Sequence, residues 1–256
     1  MNRKSSTKPL DGHTAMITGG LGDIGLATAR ALKRNGASVA LGDLQSRATA
    51  AKRAPGFHYT RVDTTRRRAV QSWIRKVETD LGTPDLVVAN AGIVELVGAL
   101  DSSEEAWRRT LDINLTGAFI FVQAACRHLI RKRSPGRVVL VGSWAAHAPH
   151  PKMSAYSVAK AGLRMFGQCL ALEVAPHQIV VNEIAPGFVD AGLTGQIYDA
   201  RPGLREKSRK LVPNGELIKA SEVGDHIAFL CNPANRHMIG SVHLMDGGLS
   251  LRHIGR

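Results

Sequence analysis

The chain is poor in cysteine, in aromatic residues and in acid. Its three cysteines, Cys126, Cys169 and Cys231, are far apart and show no metal-ligand spacing. That odd, scattered set argues against a disulfide framework or a metal site, and each is expected as a small apolar residue in a reducing cytosol. No uninterrupted apolar run approaches the ~20 residues needed to cross a bilayer, so no membrane partner is expected. Met1 to Pro9 is polar and basic and lacks the apolar stretch of a signal peptide. Residues 1–9 therefore read as a flexible lead-in, and a cytoplasmic location is expected.

Acidic residues number 21 against 34 lysines and arginines, a formal net charge of +13. Such an excess fits nucleic acid, an anionic surface or an acidic substrate. The basic residues are scattered, however, with denser groups only at Arg66–Arg68, Arg131–Arg133 and Arg201–Lys210. No aromatic–basic stacking platform or zinc spacing accompanies them, and no nucleic-acid partner is expected.

What is present is a regular alternation. Strand-length apolar runs are expected at Thr14–Ile17, Ser38–Leu41, His58–Val62, Leu86–Ala89, Arg137–Gly142, Ile179–Ile184 and Ser241–Met245. Helical stretches separate most of them: Ile24 to Asn35, Arg66 to Leu81, Glu104 to Arg133, Ser154 to Ala175 and Ser221 to Leu230. Runs such as VVLVG and LVVA do not alternate, which suggests strands covered on both faces. The expected fold is one α/β domain over 10–256, a Rossmann-type doubly wound parallel sheet of about seven strands with helices on both faces. Residues 192–216 break the rhythm. They are long, polar and basic, and read as a substrate lid.

The loop Thr18-Gly19-Gly20-Leu21-Gly22-Asp23-Ile24-Gly25 follows the first strand and opens a helix. Glycines there let backbone approach a pyrophosphate, while free helical N–H groups face its oxygens. By itself such a string is also an ordinary glycine-rich turn. Asp43 strengthens the nucleotide reading: it ends the second strand, 18 residues after Gly25. A carboxylate there accepts both ribose hydroxyls of an adenosine and repels a 2′-phosphate, and Leu44, not an arginine, follows it. The expected cofactor is NAD. Asp63-Thr64 closes the third strand, where an adenine edge could lie.

Tyr156 and Lys160, at i and i+4, share one face of a helix. An ammonium beside a phenol favours phenolate, so Tyr156 is expected to titrate below its ordinary value and to act as acid or base near neutrality. Y-x-x-x-K is common by chance. Its place just after the Gly142-Ser143 turn gives it weight.

From Thr14 to about Gly248 the chain resembles the short-chain dehydrogenase/reductase family, NAD type. The likeness is carried by TGGLGDIG, Asp43, Asp63, Ala89-Asn90-Ala91-Gly92, Asn114, Ser143, Tyr156-x-x-x-Lys160, Asn182-x-x-Ala185-Pro186-Gly187 and Asp246-Gly247-Gly248, in that order. The resemblance implies an NAD(H)-dependent oxidoreductase that interconverts a secondary alcohol and a ketone. Tyr156 would be its general acid/base. Lys160 would tune that phenol and bind the nicotinamide ribose. Ser143 would hold the substrate oxygen, and Asn114 a water leading to Lys160. Gly19, Gly22, Asp23, Ile24, Gly25, Asp43, Leu44, Asp63, Thr64, Asn90, Ala91, Gly92, Pro186, Gly187 and Val189 would form the cofactor groove. No metal is implied. Asp246-Gly247-Gly248 reads as a structural turn.

Three residues depart from the family pattern. Asp23 replaces a glycine and is expected to turn away from the phosphates and cap backbone N–H groups. Ala89 replaces an asparagine, and Ala191 a threonine. The expected substrate wall comprises Ser143, Tyr156, Glu95, Trp144, His147, Phe188 and Leu193, with Met153 and, at the edge, His150. This mixed set suits a polyol, sugar or hydroxy acid. The basic lid could steer an anion or be merely solvated. Two other functions remain open: a 3-oxoacyl-[acyl-carrier-protein] reductase, and a dinucleotide-sensing protein without turnover. The family resemblance implies a homotetramer or homodimer.

Overall fold

The structure is a computed structural model that describes residues 8–251, the side chains of Leu193 and Gln196 excepted. Most of the expected lead-in therefore lies outside the described residues.

Seven strands form one parallel sheet: β1 (Thr14–Thr18), β2 (Ser38–Asp43), β3 (His58–Arg61), β4 (Pro84–Ala89), β5 (Gly136–Val141), β6 (Ile179–Pro186) and β7 (Val242–Met245). Their order is β3-β2-β1-β4-β5-β6-β7, and every pairing is parallel. The order reverses between β1 and β4. There the connections leave in opposite directions and open a crevice beyond the strands' carboxyl ends. Every residue of β1, β5 and β6 is buried, the physical content of their unbroken apolar runs.

On one face lie α1 (Asp23–Arg34) and α9 (Ala220–Leu230). They pack closely because Gly224 has no side chain; a Cβ there would stand 2.7 Å from the backbone of Ala27. Leu32, Leu41, Val88, Ile184 and Ile227 fill that layer. On the other face are α3 (Arg67–Leu81), α5 (Gly117–Lys132) and α6 (Ser154–Val174). Trp73 stacks on Phe121 with ring centres 5.5 Å apart, over a core that includes Leu129, Leu140 and Leu163.

Several boundaries differ from expectation. Both β2 and β6 run two residues further, because hydrogen bonding to neighbouring strands carries on past the apolar run. A short helix, α2 (Arg47–Arg53), was not expected; its composition is polar, and its start is set by Ser46, whose hydroxyl accepts from Thr49 N. The long stretch from Glu104 is not one regular helix. It comprises α4 (Glu104–Leu111), a π-helical turn at Asp112–Thr116, and α5. Glu104–Lys132 is long and apolar enough by composition to span a membrane, with a mean hydropathy of 1.3, but over half of its apolar window is buried inside the protein. Ile120, Phe121, Val122 and Leu129 pack into the core, which accounts for that composition. The segment expected as a lid forms two helices, α7 (Gly192–Ala200) and α8 (Leu204–Leu211).

Candidate active site

One cavity of about 660 Å³ runs from the glycine loop to the Ser143 turn, a size typical of cofactor and ligand sites. Its nucleotide end is built by close approach. Gly19 has φ +60°, and a Cβ on it would stand 2.8 Å from Ala91 Cα. A Cβ on Gly25 would collide with the Gly19 carbonyl. The Thr18 hydroxyl accepts from the N–H groups of Asn90 (3.0 Å) and Ala91 (3.1 Å). The Asn90 amide donates back to the carbonyls of Thr18 and Gly19, both at 3.0 Å. These bonds tie β1 to β4 at the point where the sheet order reverses. Gly22, Asp23, Ile24 and Gly25 line the cavity at the start of α1, where a helix has N–H groups with no intrahelical partner.

Asp43 accepts from Leu21 N (3.1 Å) and Gln45 N (3.2 Å), so its carboxylate is fixed at the cavity wall. Leu44, 56% exposed, follows at the rim. Asp63 is held by the Thr65 backbone and hydroxyl, and Thr64 beside it is buried. The residues present fit a dinucleotide: a glycine cradle for a pyrophosphate and an anchored acid for a ribose.

Asp23 behaves only partly as expected. Its carboxylate does turn to a backbone N–H, but that of Gly192 at the start of α7 (2.7 Å), and to Arg53 (3.0 Å). The N-terminus of its own helix has no side-chain cap. Ala89 is a buried core residue. Ala191 precedes α7 without a capping hydroxyl, while Thr194, which sequence reasoning missed, lines the cavity.

At the other end Ser143, Tyr156, Lys160 and Asn114 converge. Ser143 follows β5 in extended backbone, and its hydroxyl accepts from Ala145 N at 3.1 Å. Lys160 Nζ lies 5.6 Å from the centre of the Tyr156 ring and donates to the Val141 carbonyl at 2.7 Å. Asn114 is fully buried in the π-helical turn. Its Nδ2 donates to the Thr110 and Ile93 carbonyls, and its Oδ1 accepts from Ile93 N. One lone pair of Oδ1 remains. Gly92 makes this possible: a Cβ there would stand 2.6 Å from that oxygen.

The electrostatics correct one expectation. Burial pushes the Tyr156 phenol above its ordinary value, with the Ser143 hydrogen bond opposing. The same burial lowers Lys160 to about 8, against a raising influence from Glu183. Lys160 thus bears the cost of the apolar surroundings instead of simply pulling the phenol down. Glu183 was also missed, although a charge inside an apolar strand run is a visible signal. It is 4% exposed, and Arg164 holds it at 3.1 and 3.2 Å. Arg164 also donates to the Ala146 carbonyl, in the turn after Ser143.

Of the expected substrate wall, Trp144, Met153 and Phe188 line the cavity, as does His150, which was placed only at the edge. Trp144 presents an edge-on contact to His150 at 3.9 Å and to Phe188 at 5.1 Å between ring centres. Glu95 and His147 are not in the wall. Glu95 is drawn off by Arg109 at 2.8 Å, and His147 is exposed. The Leu193 side chain lies outside the described residues. Pro186, Gly187 and Val189 line the cavity where β6 ends. A Cβ on Gly187 would stand 2.9 Å from Asp246 Cα. Asp246 itself accepts from Gly248 and Ser250 in a turn.

A glycine cradle that fits a dinucleotide, joined to a Ser–Tyr–Lys–Asn cluster on this sheet, is an arrangement suited to a nicotinamide-dependent oxidoreductase. Comparison with known proteins agrees. Residues 20–250 match the family model described as enoyl-(acyl carrier protein) reductase. The chain is 34% identical to the cis-4-hydroxycyclohexanecarboxylate dehydrogenase of Sinomonas cyclohexanicum over 92% of this chain and 96% of that one. It is 30% identical to the 3-oxoacyl-[acyl-carrier-protein] reductase FabG of Escherichia coli (strain K12) over 93% of this chain and 98% of that one. A short-chain type dehydrogenase/reductase from Mycobacterium marinum superposes with a TM-score of 0.87 at 31% identity, covering 95% of this chain and 97% of that one. The chain belongs to the short-chain dehydrogenase/reductase family.

Proposed function

We propose that this protein is an NAD(H)-dependent dehydrogenase that interconverts a secondary alcohol and a ketone, with residues 10–256 as one catalytic domain, 192–216 as its lid and the cytoplasm as its location. One observation carries the reading: Ser143, Tyr156, Lys160 and Asn114 line the same cavity whose far end is closed by the fixed carboxylate of Asp43. Bound NAD would supply the hydride acceptor. The glycine cradle would hold its pyrophosphate, and Asp43 its adenosine ribose. Ser143 Oγ would donate to the substrate oxygen and share the charge that develops there. Tyr156 Oη would take the alcohol proton during oxidation and return one during reduction. Lys160 would stabilise the phenolate. The free lone pair of Asn114 Oδ1 would accept from a water on the proton's way to solvent. Tight apolar walls would exclude other water from the reacting atoms.

The test is cofactor absorbance at 340 nm with a panel of alcohols, polyols and acyl thioesters, NAD and NADP compared. NAD-linked turnover is expected, and Tyr156→Phe should reduce it by about 10²–10⁴-fold. Asp43→Ala should weaken NAD use by ~1.5–3 kcal/mol, the worth of hydrogen bonds to a charged group. Preference for NADP in the parent protein would overturn the cofactor assignment. A second reading, reduction of a 3-oxoacyl thioester, is supported by the family model and by the FabG relatives. Turnover confined to acyl thioesters would favour it.

A further inference from the structure

The charged groups of the cavity wall divide unevenly. Asp23, Asp43 and Asp63 belong to the nucleotide end, and each is already held by protein donors. Past Ser143 and Tyr156 the wall includes Trp144, Met153 and Phe188, and from α7 and α8 the uncharged polar residues Thr194, Tyr198 and Ser208 also line the cavity. Among the described residues, Lys160 is the one cationic side chain in the whole lining. The basic group of the α7–α8 segment does not enter it. Arg205 is bound by Asp190 (2.9 Å) and Asp199 (2.8 Å), and Arg209 by Glu206 (2.9 Å). Arg201 and Lys207 are exposed and outside the wall. Nothing there would compensate a substrate carboxylate or phosphate for its lost hydration, which is a large cost.

Two buried polar atoms of the lining have no hydrogen-bond partner, the Tyr198 hydroxyl in α7 and one imidazole nitrogen. His150 lines the cavity beside Trp144, and its Nε2 is buried with no hydrogen-bond partner. Burial also holds this imidazole below its ordinary value, so it is neutral at pH 7. A neutral ring nitrogen offers one hydrogen bond and no countercharge.

Building on the dehydrogenase reading, we propose that the substrate is an uncharged secondary alcohol or its ketone with an apolar ring or chain, which lies against Trp144, Met153 and Phe188, and with one further neutral oxygen that hydrogen-bonds His150 Nε2. His150 is then a specificity-determining residue. Hydroxy acids are disfavoured, because the wall would leave their charge without a partner.

Matched compounds test this: cyclohexanol, methyl 4-hydroxycyclohexanecarboxylate and the corresponding free acid, with NAD at pH 7. The ester is expected to exceed the acid in kcat/KM by at least about tenfold, an unpaired charge costing that much or more. His150→Phe keeps an aromatic edge against Trp144 but removes the nitrogen. It should raise KM for the ester about tenfold more than KM for cyclohexanol, and His150→Asn should restore part of that difference. Calorimetric binding of methyl 4-oxocyclohexanecarboxylate and of its free acid gives a readout independent of turnover. Ester binding that depends on His150 in a protein without turnover would support this inference while ending the dehydrogenase reading. Preference for the acid, equal effects of His150→Phe on ester and cyclohexanol, or neither binding nor turnover of any compound would overturn it.

Discussion

Burial lowers Lys160 to about 8, with Glu183 opposing. An unfolded lysine titrates near ~10.4. Below pH 8 the side chain is protonated in both states, and the folded protein bears the full desolvation cost. Between pH 8 and about 10.4 the unfolded chain binds more protons, so this group's contribution to stability rises with pH. Above that range the cost is gone. Lys160→Met should relieve roughly 3 kcal/mol at pH 7, offset by about 1 kcal/mol for the Val141 carbonyl left without its donor. Thermal melts should show the inactive variant a few degrees more stable than the parent at pH 7, with that gain shrinking by pH 10. A variant that melts lower than the parent by the same margin at both pH values would show that Lys160 carries no buried-charge penalty. Stability given up for a reactive group is common at active sites.

At the scale of elements, the cavity depends on contacts between segments distant in sequence. The π-helical turn between α4 and α5 puts Asn114 against Ile93 and next to Lys160; such turns often mark functional sites. Asp23 joins α1, α2 and α7 by accepting from Gly192 N and Arg53. Replacing it should therefore act on the α7–α8 segment more than on the phosphates. Asp23→Gly is expected to speed proteolysis within 192–211 and to change NAD affinity by less than tenfold. A gain of tenfold or more would mean that the carboxylate faces the phosphates after all.

At the scale of the whole molecule, α6 has an outer stripe that the fold does not cover. Val158, Met165 and Leu172, spaced seven residues apart, are 48%, 60% and 77% exposed. Beside it Phe119 and Phe166 meet edge to face at 5.4 Å. An apolar stripe of this kind suits a contact surface, and we propose assembly through α5 and α6 into a tetramer or dimer. Light scattering should give a multiple of 27.5 kDa, and Met165→Glu with Leu172→Glu should lower it. A parent protein found only at 27.5 kDa would end the proposal.

The order of strands and helices, the glycine loop, Asp43 and the Ser143–Tyr156–Lys160 cluster were legible in the sequence. Each is written locally, in an unbroken apolar run, a helical spacing or a turn residue that serves one conformation. The short polar helix α2 was not legible, because a single capping serine is too weak a signal. Nor were the engagement of Glu95 by Arg109, the buried Arg164–Glu183 pair, the attachment of Asp23 to α7, or the bare Nε2 of His150. Those depend on which distant side chains become neighbours once the sheet is wound. Burial is likewise a property of the packed molecule, so the upward shift of Tyr156 and the downward shift of Lys160 could come only from the tertiary structure.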